Sequence, residues 1–335
     1  MASNRGASSV FRCCARRLTA TLFLVLVAVG CTYLLAALSL DPRSTYVDRN
    51  PPPSPAEVEA VLDAYNLNPD TPVVERFARW AQGAAHGDLG RTVSGTPVSP
   101  EFLRRAATSA RLVLVATAIG SAGGILLGSW SASLRRRRSG RALTVAAFTV
   151  LATPVFVLAL ALQLWARNIN DLVGSTVFEY TGEYAPGATG TWDRLVSRAQ
   201  HAVFPATTLI VFQAALFSLY QRQTMLDVVH EDFVRTARAK GLSRRTALRR
   251  HALPVAVLPL LPLLTYNAVL TFTGAVFIEK IFGWHGMGEW LVDSVLAQDV
   301  NVVAAVGLFT AVLVLCAGLV ADVLHLILDP RSRTP

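Results

Sequence analysis

Lysine is almost missing here: Lys240 and Lys280 are the only two among 31 basic residues. Neither closes a G-x-x-x-x-G-K-[ST] loop, so the chain has no P-loop to cradle nucleotide phosphates. H-E-x-x-H is absent as well. His285 and Glu289 stand four apart in WHGMGEW, but two ligands with glycines between them read as a loop beside a membrane, not a metal centre. The four cysteines, Cys13, Cys14, Cys31 and Cys316, contain no C-x-x-C, and two sit in apolar runs, so neither a disulfide framework nor a zinc site is implied. Charge itself is scarce, 16% of residues against about 25% in soluble domains. No His, Ser or Asp cluster assembles at one depth, so no catalytic residue, metal or cofactor is assigned to this chain.

Apolar residues fill the gap: 53% of the chain, with a mean hydropathy of +0.44. A bilayer core takes about 20 apolar residues to cross. Six segments qualify, at about 18–40, 112–133, 142–166, 202–221, 254–278 and 302–327. Inside lipid each must satisfy its own backbone, which makes them helices. The chain is expected to be an all-α membrane protein with six spans. The first apolar run, after Arg16-Arg17, is longer than the roughly 7–15 residues of a signal h-region, and reads as an uncleaved span.

The net charge of +9 does not indicate a nucleic-acid partner, because the basic residues sit in the gaps between apolar segments. They report topology. The N-terminal tail and the run Arg135–Arg138 carry no acid, and residues 222–253 hold eight basic residues against three acidic. On the opposite side, residues 41–111 hold eight basic and nine acidic residues. Both termini are therefore expected in the cytoplasm. Three regions follow: 1–40, a tail and first span; 41–111, an extracytoplasmic loop; and 112–329, a five-helix core enclosing the cytoplasmic loop 222–253. In the outer loop, AEVEAVLDAYNL and VVERFARWAQGA have helical spacing, and GDLG at 87–90 reads as a turn.

The most informative stretch is EDFVRTARAKGLSRRTALRRHALP, residues 231–254. Phe233, Val234, Ala237 and Gly241 fall at spacings of three and four, giving a short helix a narrow face of small and apolar side chains. Gly241 suits a left-handed cap, Ser243 suits the start of a second helix, and Pro254 opens the next span. The product is a helix–Gly–helix elbow with an arginine rim. Its small face is expected to seat in a protein groove.

The run from Arg235 to Pro254 resembles the EAA loop of ABC-importer permeases. Arg235, Thr236 and Ala237 stand at the motif's first three positions and Gly241 at its glycine; nine residues later comes His251-Ala252-Leu253-Pro254. Arg for Glu and His for the apolar residue are similar to the peptide-importer branch, in its B-type subunit with a long outer connector. FARWAQGAAHGDLGRTVSGTPV (77–98), FIEKIFGWHGMGEWLVDSVLAQDVNVV (277–303) and LILDPRSR (326–333) resemble that branch too. Two outer stretches depart from it: Ser39-Leu40-Asp41-Pro42 replaces Pro-Gly-Asp-Pro, and Trp284-His285-Gly286-Met287-Gly288 replaces Trp-Pro-Gly-Leu-Gly.

The resemblance implies a type I ABC importer permease fold in the bacterial cytoplasmic membrane. It also implies a second homologous permease, two ATP-binding subunits that hold Mg-ATP, an extracytoplasmic substrate-binding protein, and oligopeptides or dipeptides as cargo. Nickel chelates or glutathione are carried by the same permease type. Arg235, Thr236, Ala237, Arg238, Lys240, Gly241, Leu242, Leu253 and Pro254 would couple to the ATPase. Trp284, Gly286 and Gly288 would form an outer gate or binding-protein contact. Polar residues within spans, Gln163, Gln213, Thr265, Asn267, Thr271 and Thr273, are candidates for the pathway or for helix–helix contacts. Asp322 near the end of the last span is read as half of an ion pair. An ion-coupled secondary transporter would instead need internal repeats and a buried acid at the midplane.

Overall fold

The computed structural model describes residues 3–47, 53–134 and 137–328, and its regular elements are helical. In chain order they are α1 (Ser3–Ser39), α2 (Ser44–Val47), α3 (Pro55–Ala64), α4 (Val73–Ala85), α5 (Val98–Ser133), α6 (Arg138–Ala152) and α7 (Val155–Val173). There follow α8 (Thr191–Val228), α9 (Asp232–Ala239), α10 (Arg244–Ala247), α11 (Leu253–Val257), α12 (Leu261–Phe282), α13 (Met287–Leu296) and α14 (Val300–Leu328). Five helical runs among the described residues are long and apolar enough to cross a membrane, and α6 with α7 makes a sixth if the bent pair is one span.

The single helix expected over 142–166 is instead a bent pair. The chain turns by 99° between α6 and α7. Pro154 is the cause: its ring pushes the preceding residue out of the helical region, and Thr153 is extended at φ −86°, ψ 128°. The fourth span is longer than its apolar core of 202–221. α8 has 38 residues, about 57 Å at 1.5 Å per residue, against roughly 30 Å of hydrocarbon. Charged residues that look like connector, such as Asp193 and Arg222, are its two projecting ends.

The chain divides into two compact units, residues 1–106 with 290–315, and residues 107–289 with 316–335. In the first, Tyr33 of α1 meets Phe77 and Trp80 of α4 at ring-centroid distances of 5.5 and 5.8 Å. Ser54 and Glu57 form a reciprocal capping box that starts α3. The α13–α14 turn ties this unit together. Asp299 accepts from the backbone N–H of Val93 (2.8 Å) and of Val302 (3.2 Å), while Asn301 Nδ2 donates to the carbonyls of Arg91 (2.8 Å) and Tyr65 (3.1 Å).

Removing Asp299 has a calculable consequence. Asp299→Ala deletes a helix cap, about 1 kcal/mol, and orphans the buried Val93 amide, about 1–3 kcal/mol. The melting midpoint should fall by several degrees in detergent; an unchanged midpoint would remove the turn from the unit's stabilising contacts. Burial also pushes the Asp299 carboxyl up to about 6, against the pull of its amide donors. A folded value above the unfolded one means stability is fully present below the unfolded value of about 3.9 and is lost as pH rises through 6. This unit should therefore be more protected from hydrogen exchange at pH 5 than at pH 7, and Asp299→Asn should abolish the difference.

In the second unit, α6, α7, α11 and α12 pack around α8, and α5 lies along it. Gly120, Gly124 and Gly128 on α5 face Ile210, Ala214 and Ser218 on α8, one turn apart each time. This is the small-residue packing that lets helix backbones approach inside lipid. It leaves α8 as the central post from which the elbow hangs.

Candidate coupling elbow and membrane-embedded polar cluster

The elbow forms as its residues require. α9 ends in a Schellman motif: Gly241 N–H bonds the Arg238 carbonyl (3.0 Å) and Leu242 N–H the Ala237 carbonyl (3.3 Å). Gly241 sits at φ +90°, and a Cβ added there would meet nothing within 4 Å. Its role is the turn, not close packing. Ser243 then caps α10, its Oγ accepting from Thr246 N–H at 3.2 Å. Before Pro254 the helix widens to a π turn over Leu248–Ala252, with Leu253 N–H on the Leu248 carbonyl. Proline has no N–H to offer one turn back, and the wider register accommodates it.

The structure changes which face looks outward. Val234 and Ala237 are buried against the chain itself, in a cluster with Ala132, Met225, Ala247, Leu248, Ala252 and Ala256. Leu242 and Leu253 pack on its margin. The small-residue face expected to enter a partner's groove is thus used to fix the elbow to α8 and α11. Two positions three apart make a stripe only one residue wide, and the chain's own helices cover it. What faces solvent is Phe233, Arg235, Thr236, Arg238, Ala239 and Lys240. Phe233 belongs with this exposed set, at 41% accessibility, rather than with the buried face. It is an apolar side chain on the exposed face of an otherwise charged helix.

Three of the six candidate pathway residues meet. Gln213 Oε1 on α8 accepts from Asn267 Nδ2 (2.6 Å) and Thr271 Oγ1 (3.1 Å), both on α12. All three are buried and line a cavity of about 250 Å³ with Phe212 and Gly274. Among the described residues the Gln213 Nε2 donor has no hydrogen-bond partner. Gln163 and Thr273 do not join them. Gln163 Nε2 donates to the Ile281 carbonyl at 3.0 Å, Thr273 is exposed on another side of α12, and the side chains of Thr265 and Asp322 lie outside the described residues.

In the loop after α12, Trp284, Gly286 and Gly288 are all buried in this chain, so they pack inward and present no exposed side here. They wrap the buried Glu279 carboxylate, which accepts from Ser109 Oγ, from Gly288 N–H (2.7 Å) and from Glu289 N–H (3.2 Å). A Cβ on Gly286 would lie 2.5 Å from Glu279 Cδ, and one on Gly288 would lie 2.5 Å from Val276 Cα. Both glycines are demanded by space. His285 is the exposed member, at φ +53°, with its Nδ1 3.2 Å from Glu289 Oε2. Glu279 was missed in the sequence because FIEK looks like the edge of a span.

The family described as "Binding-protein-dependent transport system inner membrane component" matches residues 124–334. The chain belongs to this family. It is an ABC importer permease, a multi-pass protein of the cytoplasmic membrane. Along almost its whole length it is similar to the oligopeptide transport system permease protein OppB of Mycobacterium tuberculosis H37Rv, 47% identical over 95% of this chain and 98% of that one. The oligopeptide permease AppB of Bacillus subtilis is 31% identical over 93% and 96% of the two chains, and the dipeptide permease DppB of Escherichia coli K12 29% over 80% and 83%. Among solved structures the permease shares its fold with a chain of the inward-facing MetNI methionine ABC transporter. There the TM-score is 0.54 at 14% identity, covering 68% of this chain and 96% of that one. The matched family region holds the elbow, the Gln213 cluster and the Glu279 loop of the permease together.

Proposed function

We propose that this permease carries oligopeptides or dipeptides into the cell by alternating access, as one of two permeases in an importer powered by two ATPase subunits. An extracytoplasmic binding protein delivers the peptide, and ATP is hydrolysed wholly in the partners. Both termini and the elbow face the cytoplasm, consistent with the excess of arginine on that side. The exposed face of α9, with Phe233, Arg235, Thr236 and Lys240, is the part the ATPase contacts; the buried Val234–Ala237 stripe passes its movement to α8 and α11. The Gln213–Asn267–Thr271 cluster lines the path, its free Nε2 donor suited to a peptide carbonyl. The observation that supports the cargo best is the near full-length similarity to a mycobacterial oligopeptide permease.

The test is uptake by the complete importer in proteoliposomes with internal ATP. Labelled tripeptides to pentapeptides should accumulate, while glutathione and a nickel chelate should not compete. Competition by either at equal concentration would transfer the cargo to that class. In the same preparation, Gln213→Met keeps the volume and removes the amide. The peptide concentration for half-maximal uptake should rise about tenfold, one hydrogen bond's worth. An unchanged concentration dependence would make the cluster a helix–helix contact.

A further inference from the structure

Where α5 and α8 end, beside the elbow, lies a cavity of about 440 Å³. Its floor is apolar, with Ala132, Met225 and Leu248 drawn from the buried cluster under α9. Its wall carries Arg137 from the α5–α6 connector, Arg238 from α9 and Arg244 from α10, with His230 from the turn between α8 and α9. No Asp or Glu is among the described residues that line it. Among the described residues none of the three guanidinium groups has an acidic partner.

A solvated basic loop would let such groups spread apart. Here they belong to three separate elements, each held by its own backbone. Arg238 lies in the last turn of α9, closed by the Schellman motif, and Arg244 follows the Ser243 cap. Like charges gathered round one cavity repel, and an oxyanion relieves that repulsion. Guanidinium groups suit phosphate in particular, since each offers two parallel N–H donors. The apolar floor separates the candidates further: a free phosphate has no use for it, whereas a phospholipid brings glycerol and methylene groups. The apolar run of α5 closes at Ala132–Leu134, which line the cavity, so its mouth opens near the depth of lipid headgroups while α8 runs on past it.

We propose that this cavity is a binding site for the phosphate headgroup of an anionic phospholipid, clamped by Arg137, Arg238 and Arg244. It rests on the reading that this end of the bundle faces the cytoplasm, where anionic lipids and basic inter-helix pockets meet. Occupancy joins α9 to the end of α5 through a shared anion, so lipid composition bears on how firmly the elbow is held.

The site can be tested on the purified full-length chain in a zwitterionic detergent, apart from any transport. Short-chain phosphatidylglycerol should raise the melting midpoint in a saturable way, while short-chain phosphatidylcholine should not. Arg137→Gln combined with Arg244→Gln should weaken the phosphatidylglycerol response at least tenfold, and Arg141→Gln, outside the cavity, should leave it intact. Should the double variant fail to fold, the single Arg137→Gln on an exposed connector reads the same effect. An equal response to inorganic phosphate would assign the cavity to a soluble oxyanion and overturn the lipid proposal. So would equal responses to the two lipids, or a double variant that binds as wild type. A response lost once the ATPase subunits are added would assign the arginines to a partner protein and also overturn it. Failure of peptide uptake leaves every arm of this binding test standing, so the two readings fail separately.

Discussion

Gly241→Asp leaves the subunit inserted in the membrane and assembled, but lowers peptide uptake by at least tenfold while ATP hydrolysis continues. The reasoning starts from φ +90° at Gly241, where any side chain costs about 1–2 kcal/mol, less for Asn and Asp, which tolerate the left-handed region best. A Cβ there has no neighbour within 4 Å, so the defect is not steric and the fold survives. What changes is charge. The carboxylate is added at the corner between Arg238 of α9 and Arg244 of α10, and introduces an acid into the elbow's arginine rim, changing the charge offered next to the exposed face of α9. The comparison that isolates this is Gly241→Asn, which has the same shape and backbone tolerance without the charge, and should retain most uptake. Paired measurements of labelled-peptide uptake and phosphate release in proteoliposomes decide it. Wild-type uptake by Gly241→Asp would mean that the elbow does not transmit the ATPase movement. Equal loss in both variants would mean that backbone strain, not charge, governs the corner.

Much of this was legible residue by residue, because membrane spans and turn chemistry are local. The apolar runs, the Gly241 cap, the Ser243 cap and the helices at 55–64 and 73–85 each follow from a few adjacent side chains. The bend at Thr153–Pro154 was also within reach, since proline restricts its predecessor, but the unbroken apolar run on both sides hid it. Less accessible was anything set by residues far apart in the chain. Phe233, Val234 and Ala237 look equivalent by spacing, and only the neighbouring α8, α10 and α11 determine that Val234 and Ala237 turn inward while Phe233 stays exposed. Glu279 is similar: it is buried because Ser109, 170 positions away, and the Gly286–Gly288 loop supply its donors. Of the polar residues in spans, Gln213, Asn267 and Thr271 converge and Gln163 does not, a distinction no one-dimensional pattern carries.

Gly124→Leu should prevent the subunit from folding, and Gly123→Leu should not. Gly120, Gly124 and Gly128 recur every fourth residue, which puts them on one stripe of α5, and α8 lies against that stripe backbone to backbone. A Cβ on Gly124 would fall 2.7 Å from the Ala214 carbonyl oxygen and 2.6 Å from Phe217 Cβ, inside any attainable contact. A carbonyl within a helix has no rotamer by which to move aside, so α5 and α8 would have to part along their length. Overpacking of a core ordinarily costs about 1–3 kcal/mol, and a clash with backbone belongs at the upper end or beyond. In lipid no hydrophobic force compensates, because the alternative neighbour is as apolar as the lost one; van der Waals fit is what keeps the two helices together. Separation would also uncover Gln213 and Gln221, both buried on this side of α8, and leave polar groups facing hydrocarbon. Gly123, one position away, has open space around its Cβ position and serves as the control of equal size and depth. Yield of monodisperse protein after solubilisation, with the melting midpoint of whatever remains, measures the difference. If the two leucine variants behave alike, the glycine stripe does not hold α8 in place, and the post that supports the elbow must be fixed by α6, α7 and α12 instead.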